Sequence, residues 1–247
     1  ELIHDRISFR KFLDIKEEDT IPDETTICKF RNTLIKNNLL ESIFKEVKNS
    51  MIEKNLILNE GTLVDATLIH SSEPKKRKDE NGKTISNKAN DKDASYTSKR
   101  GRKHHGYKIH IATDTNSIIK EVITTTAKTH DSTQFDTLTK DETKAVFADS
   151  GYMSQERKRT LRSKGIFNGI TERRVRGQSK LRTKQSKNNT KFSKVRALVE
   201  LPFAFIKKLM KYTETKYLGL HKNSQHVFLI AAAYNLRRMP KLIQRYE

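Results

Sequence analysis

Three acidic residues stand out because each lies in or beside a strongly apolar segment. Asp65 interrupts a β-rich run, Asp149 ends a short apolar run, and Glu200 lies between Val199 and Leu201. Acids are rarely buried without a partner charge, so these three predict either a shared divalent-cation site or three separate salt bridges. Carboxylates are the hard oxygen ligands that Mg²⁺ prefers. With 50 Lys and Arg in the chain, both interpretations remain open at this point.

The residues around Glu200 add two cations. On a continuous helix, with about 100° per residue, Arg196 and Lys207 lie within about 40° of Glu200. Such a face suits a phosphate held beside a metal, although an ordinary intrahelical ion pair between Arg196 and Glu200 would explain half of the pattern. Pro202 removes a backbone donor and clashes with residue 198, so the helix is expected to kink or restart next to Glu200.

The first 57 residues predict helices. Apolar residues recur every three or four positions in 27–34 and 40–51, with a start signal at 22–25 and a break at 37–38. Helix pairs of this size occur in helix-turn-helix-like DNA-binding units, and they are equally common as packing elements. We therefore predict a small helical N-terminal region at 1–57 that is a candidate for DNA binding.

From residue 58 onwards, strands are interleaved with helices. Strands are predicted at 63–69, 107–111, 118–126, 145–148 and 166–171, and helices at 136–140, 156–164, 192–210 and 226–242. This order predicts a mixed α/β sheet flanked by helices, in a catalytic domain at 58–247. Two basic segments without hydrophobic periodicity, 71–103 and 172–190, are predicted to be long loops.

The charge indicates a polyanionic partner. The formal net charge is +20, and residues 153–216 alone hold 19 Lys and Arg against 4 Asp and Glu. Nucleic acid is the partner that such an excess favours. No membrane association is expected, because the basic runs lack a large apolar face and no apolar stretch approaches 18–20 residues. The one cysteine, Cys28, excludes an intrachain disulfide and fits a reducing cytosol.

Eight motifs, in matching order and spacing, make the chain resemble the DDE transposases of bacterial insertion sequences, in the IS-five group. Three of the motifs carry the acids: GTLVDATLI (61–69), VFADSGY (146–152) and KVRALVELPFAFIKK (194–208). The others are SFRKFL (8–13), IPDETTICKFRNTL (21–34), GYKIHIATD (106–114), THD (129–131) and KYLGLHKN (216–223). No single motif is specific, but eight in sequence cover nearly the whole chain.

The resemblance implies a ribonuclease-H-like fold in which Asp65, Asp149 and Glu200 form one catalytic site. These acids would hold Mg²⁺, with Mn²⁺ as a substitute, in a site for two ions. Water would cut the DNA at the element's end, and the freed 3′ hydroxyl would then attack target DNA. The implied partners are double-stranded DNA, at the element ends and the target, and further copies of the same chain. The implied location is the bacterial cytoplasm, in association with the nucleoid.

The cations near the acids also match the family. Its arginine and lysine around the glutamate correspond to Arg196 and Lys207, which would bind phosphates near the scissile bond. Further DNA contacts are predicted for four other cations: Lys108, Arg173, Arg174 and Lys208. Two positions depart from the family's pattern, because Ser193 stands where tyrosine is usual and Leu201 where a polar residue is common.

Two other functions are alternatives to that of a transposase. One is a catalytically inactive or truncated DNA-binding relic, and the presence of all three acids argues against it. The other is a stand-alone metal nuclease without strand joining, and the order of the non-catalytic motifs argues against that. Three residues in the motifs have open roles: His130 and Asp131 could brace the site or form a turn, and Tyr152 could stack on a base or pack.

Overall fold

The computed structural model describes residues 2–74, 76–78, 84–86, 91–99, 101–174 and 177–246. By its internal contacts the chain divides into two compact units, Glu1–Leu39 and Leu40–Glu247. The division falls after residue 39, so most of the last helix of the predicted N-terminal region belongs to the second unit. The domain boundary at 57/58 stays a prediction.

The first unit is helical. It contains α1 (Leu2–Asp5), α2 (Ile7–Phe12) and α3 (Glu24–Lys36). Asp23 caps α3, because its carboxylate accepts a hydrogen bond from the backbone N–H of Thr26 at 2.6 Å. The start signal and the break at 37–38 therefore bound α3 as the sequence predicts.

The second unit is built on a mixed sheet. Its strands are β1 (Thr62–His70), β2 (Lys76–Lys78), β3 (Thr84–Ser86), β4 (Ser95–Lys99), β5 (Arg102–Thr113), β6 (Ile119–Thr126), β7 (Ala145–Ala148) and β8 (Phe167–Asn168). Six of them form one sheet in the order β4-β5-β1-β7-β8, with β6 also paired to β5. The pairs β1–β7 and β7–β8 are parallel and the others are antiparallel. β2 and β3 form a separate antiparallel pair.

Helices flank the sheet. They are α4 (Leu39–Glu53), α5 (Phe135–Leu138), α6 (Gln155–Ser163), α7 (Thr183–Arg196), α8 (Glu200–Ala204) and α9 (Leu220–Tyr246). On one face, Ile109 and Ile111 of β5 pack with residues of α4 and α9, and on the other Ala112 packs with residues of α5 and α6. Because alternate strand residues point to opposite faces, one strand serves both cores. The predicted mixed α/β fold, consistent with a ribonuclease-H-like architecture, is confirmed.

Both predicted basic loops need correction. Within 172–190, residues from Thr183 onwards belong to α7, and within 71–103 lie β2, β3, β4 and the first residues of β5. Polar bonds hold the first half of α7: Gln185 donates to the Glu172 carboxylate at 2.5 Å, and Asn189 exchanges two hydrogen bonds with the Glu172 backbone. Farther along the helix, Phe192 packs on Phe147 and Phe167. Residues 75, 79–83, 87–90, 100 and 175–176 of these two segments lie outside the described residues.

Candidate active site

Parallel pairing of β1 with β7 brings two of the predicted acids together. Val64 is in register with Ala148, so Asp65 and Asp149 are the next residues on neighbouring strands. Adjacent strands lie about 4.8 Å apart, which places the two carboxylates side by side where β7 ends. The Asp65 side chain is 29% exposed and Asp149 is exposed, so both can be reached from solvent.

Asp65 is held by one backbone donor and one cation. Its Oδ1 accepts from the backbone N–H of Ala66 at 2.8 Å, and its Oδ2 accepts from Nη2 of Arg196 at 3.3 Å. Burial raises the pKa of Asp65; the Ala66 N–H and Arg196 oppose this, while the charges of Asp149 and Asp131 add to it. Burial, more than the neighbouring charges, therefore sets the raised pKa of Asp65.

Asp149 begins a 3₁₀ turn, Ser150–Tyr152, and its Oδ1 accepts from the Ser150 hydroxyl at 2.8 Å and from the Gly151 N–H at 3.1 Å. Burial acts to raise the pKa of Asp149, but these hydrogen bonds and the charges of Arg196 and Arg173 lower it below its ordinary value. Arg173 is tied to the turn, because its Nε donates to Ser150 Oγ at 2.8 Å. Two arginines thus accompany this acid, which stays ionised.

Glu200 lies on a broken helix. α7 ends at Arg196, a 3₁₀ turn covers Ala197–Val199, α8 begins at Glu200, and a π-helical turn covers Phe205–Leu209. The expected restart beside Glu200 is therefore present. The 3₁₀ turn packs against β1 and β5, and the Ser117 hydroxyl donates to the Leu198 carbonyl at 2.9 Å. Glu200 thus follows directly on a turn that is anchored to the strand carrying Asp65.

The intrahelical ion pair considered for Arg196 and Glu200 is not formed. A 3₁₀ turn rotates about 120° per residue, so the two side chains separate by roughly 120° instead of the 40° of a continuous α-helix. Arg196 turns to Asp65, and Glu200 is exposed, with no hydrogen bond or ion pair from its side chain to any described residue. The structure thus brings Asp65, Asp149, Arg196 and Arg173 together and leaves Glu200 outside this set of contacts.

A comparison with protein families decides the identity of this arrangement. A family model described as a transposase DDE domain matches residues 58–236, about seven-tenths of the chain. The chain belongs to this DDE transposase family. A second model, described as a transposase domain (DUF772), matches residues 1–33. No solved structure matches the chain.

The other predicted DNA contacts of this transposase lie in three different settings. Lys108 is 13% exposed, and its Nζ donates to the Thr129 carbonyl at 2.7 Å and pairs with Asp131 at 2.8 Å. Lys207 is half-buried in the π-helical turn, where burial and the charge of Lys99 lower its pKa. Two cations are exposed: Arg174, which donates to the Ser179 carbonyl at 3.0 Å, and Lys208. Lys108 is therefore committed to an internal ion pair.

The acids of the transposase form only part of a metal site in this structure. Within the described part of the chain, no three His, Cys, Asp or Glu side chains lie close enough together to hold a metal ion. Asp65 and Asp149 still fit a divalent cation, because two neighbouring carboxylates are hard oxygen ligands whose mutual repulsion a cation relieves. The guanidinium of Arg196 supplies that opposite charge at Asp65 here. A third carboxylate would have to approach this pair.

Two residues near the pair were left without a role by the sequence. Asp131 opens a 3₁₀ turn and adds to the negative charge around Asp65, and Tyr152 ends the turn that Asp149 begins. Only their position in the sequence indicated a role, since each lies within a motif shared with the family. The structure supplies what position could not, namely that both lie within the electrostatic reach of Asp65 and Asp149.

As for membranes, none of the helices in the part of the chain that the structure describes combines the length and the apolar character needed for a span.

Proposed function

We propose that this transposase cuts and joins DNA at the ends of an insertion sequence of the IS-five group. Both steps, phosphodiester hydrolysis and then transesterification by the freed 3′ hydroxyl, would take place at one site. The observation that carries the proposal is the register of β1 and β7, which makes neighbours of Asp65 and Asp149 and sets Arg196 beside them. No covalent intermediate with the protein is required.

The proposed catalytic and metal-binding residues are Asp65, Asp149 and Glu200. Divalent cations held there, two Mg²⁺ or Mn²⁺ ions, would activate the attacking water and stabilise the leaving oxygen. Glu200 can join the pair without giving up a partner, because its exposed side chain makes no bond to any described residue. Arg196 would exchange its contact with Asp65 for a phosphate as the acids take up their ligands.

The proposed phosphate contacts follow from how engaged each cation is. Arg196 and Arg173 adjoin the acids and would hold the scissile strand. Lys207 and the exposed Arg174 and Lys208 would contact flanking phosphates. Lys108 is left out of this surface, since its charge is compensated by Asp131 inside the fold.

Charge also divides the proposed domains. Residues 58–247, the proposed catalytic domain, carry 40 Lys and Arg against 19 Asp and Glu, whereas residues 1–57 carry 10 against 11. Nonspecific contact with the DNA backbone is therefore assigned to 58–247, with the basic segments 71–103 and 172–190. The helical region 1–57 is proposed for base-specific contact, which needs little net charge. Joining two element ends calls for a homo-oligomer, and the proposed setting is the nucleoid of a bacterial cytoplasm.

The test is cleavage and strand joining of a labelled duplex that carries the element's own end, with Mg²⁺ or Mn²⁺. We expect joined products from the wild type and none from Asp149→Ala. The control is Asp141→Ala, which removes an exposed acid away from the pair. Binding without cleavage by the wild type would contradict the proposal and favour the inactive relic, and cleavage without joining would favour the stand-alone nuclease.

A further inference from the structure

The turn that follows Asp149 carries a tyrosine whose ring is fixed by its surroundings. Tyr152 is 2% exposed, its backbone N–H donates to the Asp149 carbonyl at 2.9 Å, and its ring centroid lies 6.0 Å from that of Phe135. Arg157 donates to the Tyr152 carbonyl and lies 4.2 Å over the Phe135 ring. The ring is therefore fixed in the same core cluster as Val64 and Ala148, the residues that precede Asp65 and Asp149.

The hydroxyl of Tyr152 is buried and makes no hydrogen bond to any described residue. Burial raises the pKa of Tyr152, and the charges of Asp131, Asp65 and Asp149 raise it further, against a smaller opposite effect of Arg196. The phenol thus remains a protonated donor, and three of the charged groups around it, Asp131, Asp65 and Asp149, are carboxylates that can accept. A buried donor without a partner is unfavourable, so a hydrogen-bond acceptor for this hydroxyl is strongly favoured.

Asp131, one of these three carboxylates, is also held by the fold. Its partner Lys108 lies in β5 and donates to the Thr129 carbonyl at 2.7 Å. Arg157 joins the turn of Asp131 to the turn of Tyr152, because it donates to the carbonyls of Ser132 and Tyr152. Asp131 and Tyr152 thus lie in two linked turns, and the charge of Asp131 acts on both Asp65 and Tyr152.

We propose that Tyr152 is a positioning residue of the active site, whose hydroxyl donates to the Asp65–Asp149 carboxylate pair, directly or through one water shared with Asp131. This inference rests on the proposed function. In the cleft that receives a divalent cation, like-charged carboxylates repel one another and turn apart. A donor buried among them holds their oxygens in one orientation. Removing it would leave both acids present but less well ordered.

The expected consequence is weaker cation binding. Groups that orient metal ligands typically contribute 10–100-fold to metal affinity, so Tyr152→Phe should weaken Mn²⁺ binding by about tenfold or more. The substitution removes one oxygen and keeps the packing against Phe135. Thermal stability should change little, because the ring packing is kept and the hydroxyl makes no hydrogen bond to a described residue in this structure. A purely structural tyrosine would show neither the change in metal affinity nor its rescue by added metal.

The experiment is a Mn²⁺ titration followed by electron paramagnetic resonance, on the full chain with its duplex, in wild type, Tyr152→Phe and Asp149→Ala. The matched control is Tyr234→Phe, since Tyr234 is 3% exposed and its hydroxyl is also buried without a described partner, but it packs on Phe205 in the other core. We expect loss of binding in Asp149→Ala, about tenfold weaker binding in Tyr152→Phe, and no change in Tyr234→Phe. Cleavage by Tyr152→Phe should recover at higher Mn²⁺ concentration.

Two negative results are distinguishable. If Asp149→Ala loses Mn²⁺ while Tyr152→Phe binds within twofold of wild type, the positioning role is wrong and the proposed function stands. If wild type and Asp149→Ala bind Mn²⁺ equally, the proposed metal site itself is wrong, and the inference fails with it. Asp131→Asn provides a second variant: an affinity within twofold of wild type would remove Asp131 from the arrangement.

Discussion

Both ends of the β1–β7 pair carry acids, but the acid at one end is buried and the acids at the other end are accessible to solvent. At the end where β7 begins, Glu142 is 3% exposed and accepts from the backbone N–H groups of residues 143–145, from the Thr62 hydroxyl and from Lys120. Burial acts to raise the pKa of Glu142, but these bonds lower it below its ordinary value. At the end where β7 finishes, Asp149 uses only Oδ1 in the hydrogen bonds that hold it.

Asp114 extends the comparison to the antiparallel neighbour of β1. It follows β5 directly, is fully buried, and accepts from the N–H groups of Leu58 and Ile118 at 2.8 and 2.7 Å. Both oxygens of Glu142 and both oxygens of Asp114 accept from groups of the fold, and binding a cation would break these bonds. Asp65 and Asp149 are more exposed, and Oδ2 of Asp149 makes no hydrogen bond to any described residue. Burial inside the fold, more than the number of donors, separates acids that hold the fold from acids available for chemistry.

The sharpest way to break this comparison is to neutralise Asp65. Asp65→Asn keeps an oxygen acceptor for the Ala66 N–H, replaces the oxygen that accepts from Arg196 by an amide NH₂, and removes one charge from the pair. We expect strand cleavage to fall by about 10³-fold or more, because several kcal/mol of metal-assisted stabilisation are lost. The unfolding free energy should stay within about 1 kcal/mol of wild type. Cleavage assays and urea unfolding of the same preparation check both parts, and retained cleavage would contradict the role of Asp65.

The reverse result is expected at the other end. Glu142→Ala leaves buried N–H groups and Lys120 without their acceptor, and we expect a loss of about 3–5 kcal/mol in unfolding free energy. Cleavage per folded molecule, measured at low temperature, should remain within a few-fold of wild type. If Glu142→Ala were stable but inactive, the division into fold-holding and reactive acids would be wrong.

The buried carboxyl of Asp114 predicts a pH dependence of the unfolding free energy, which tests the comparison further. Burial raises the pKa of Asp114 from 3.8 to about 6, so between these values the folded chain retains a proton that the unfolded chain has released. The contribution of Asp114 to stability is therefore full below about pH 4 and is lost as pH rises to about 6, by roughly 2–3 kcal/mol. The difference in unfolding free energy between wild type and Asp114→Asn should fall by this amount from pH 4 to 7.

The pH effect of Asp114 has to be measured as a difference between two proteins, because His110 also makes stability depend on pH. Burial lowers the pKa of His110 to about 4, so its contribution to stability rises with pH across nearly the same window and opposes that of Asp114. Urea unfolding at several pH values, in both proteins, cancels His110 and isolates Asp114. A difference that stays constant with pH would show that Asp114 is ionised throughout.

These acids also show how far sequence reasoning could reach. Hydrophobic alternation predicts the strands, and the position of Asp149 after a short apolar run predicts its place at the end of β7. Asp114 follows a strand in the same way and also lies in a motif. What distinguishes the two is strand pairing, because Asp114 lies beyond β5, which is antiparallel to β1, and Asp149 follows β7, which is parallel to it. Pairing is a long-range property that no local pattern contains.

The same limit applies around Glu200. A period of 100° per residue places Arg196 and Glu200 on one face, but the chain inserts a 3₁₀ turn between them, and Arg196 finds Asp65, 131 residues earlier. α7 begins nine residues before the predicted helix because Gln185 and Asn189 attach it to Glu172 by polar bonds. Hydrophobic periodicity detects the part of α7 that packs through Phe192 and overlooks the earlier turns, which are held by side-chain amides.

The smallest and most discriminating effect should come from two hydroxyls, one at each end of the strand pair. Thr62 donates to Glu142 and Ser150 donates to Asp149. Thr62→Val leaves a buried carboxylate with one donor fewer, and we expect a loss of about 1–1.5 kcal/mol in stability with unchanged cleavage. Ser150→Ala removes a partly exposed donor that also anchors Arg173, so stability should change by less than about 0.5 kcal/mol. Its effect should appear instead as a few-fold higher Mg²⁺ requirement for cleavage, since Asp149 is then less well oriented. Thermal unfolding and Mg²⁺ titrations of cleavage are measured on both variants, so that the effect on stability and the effect on cleavage can be compared for each hydroxyl. If both hydroxyls changed stability alone, Ser150 would belong with the fold-holding groups and the contrast between the two ends would not extend to their hydrogen-bond donors.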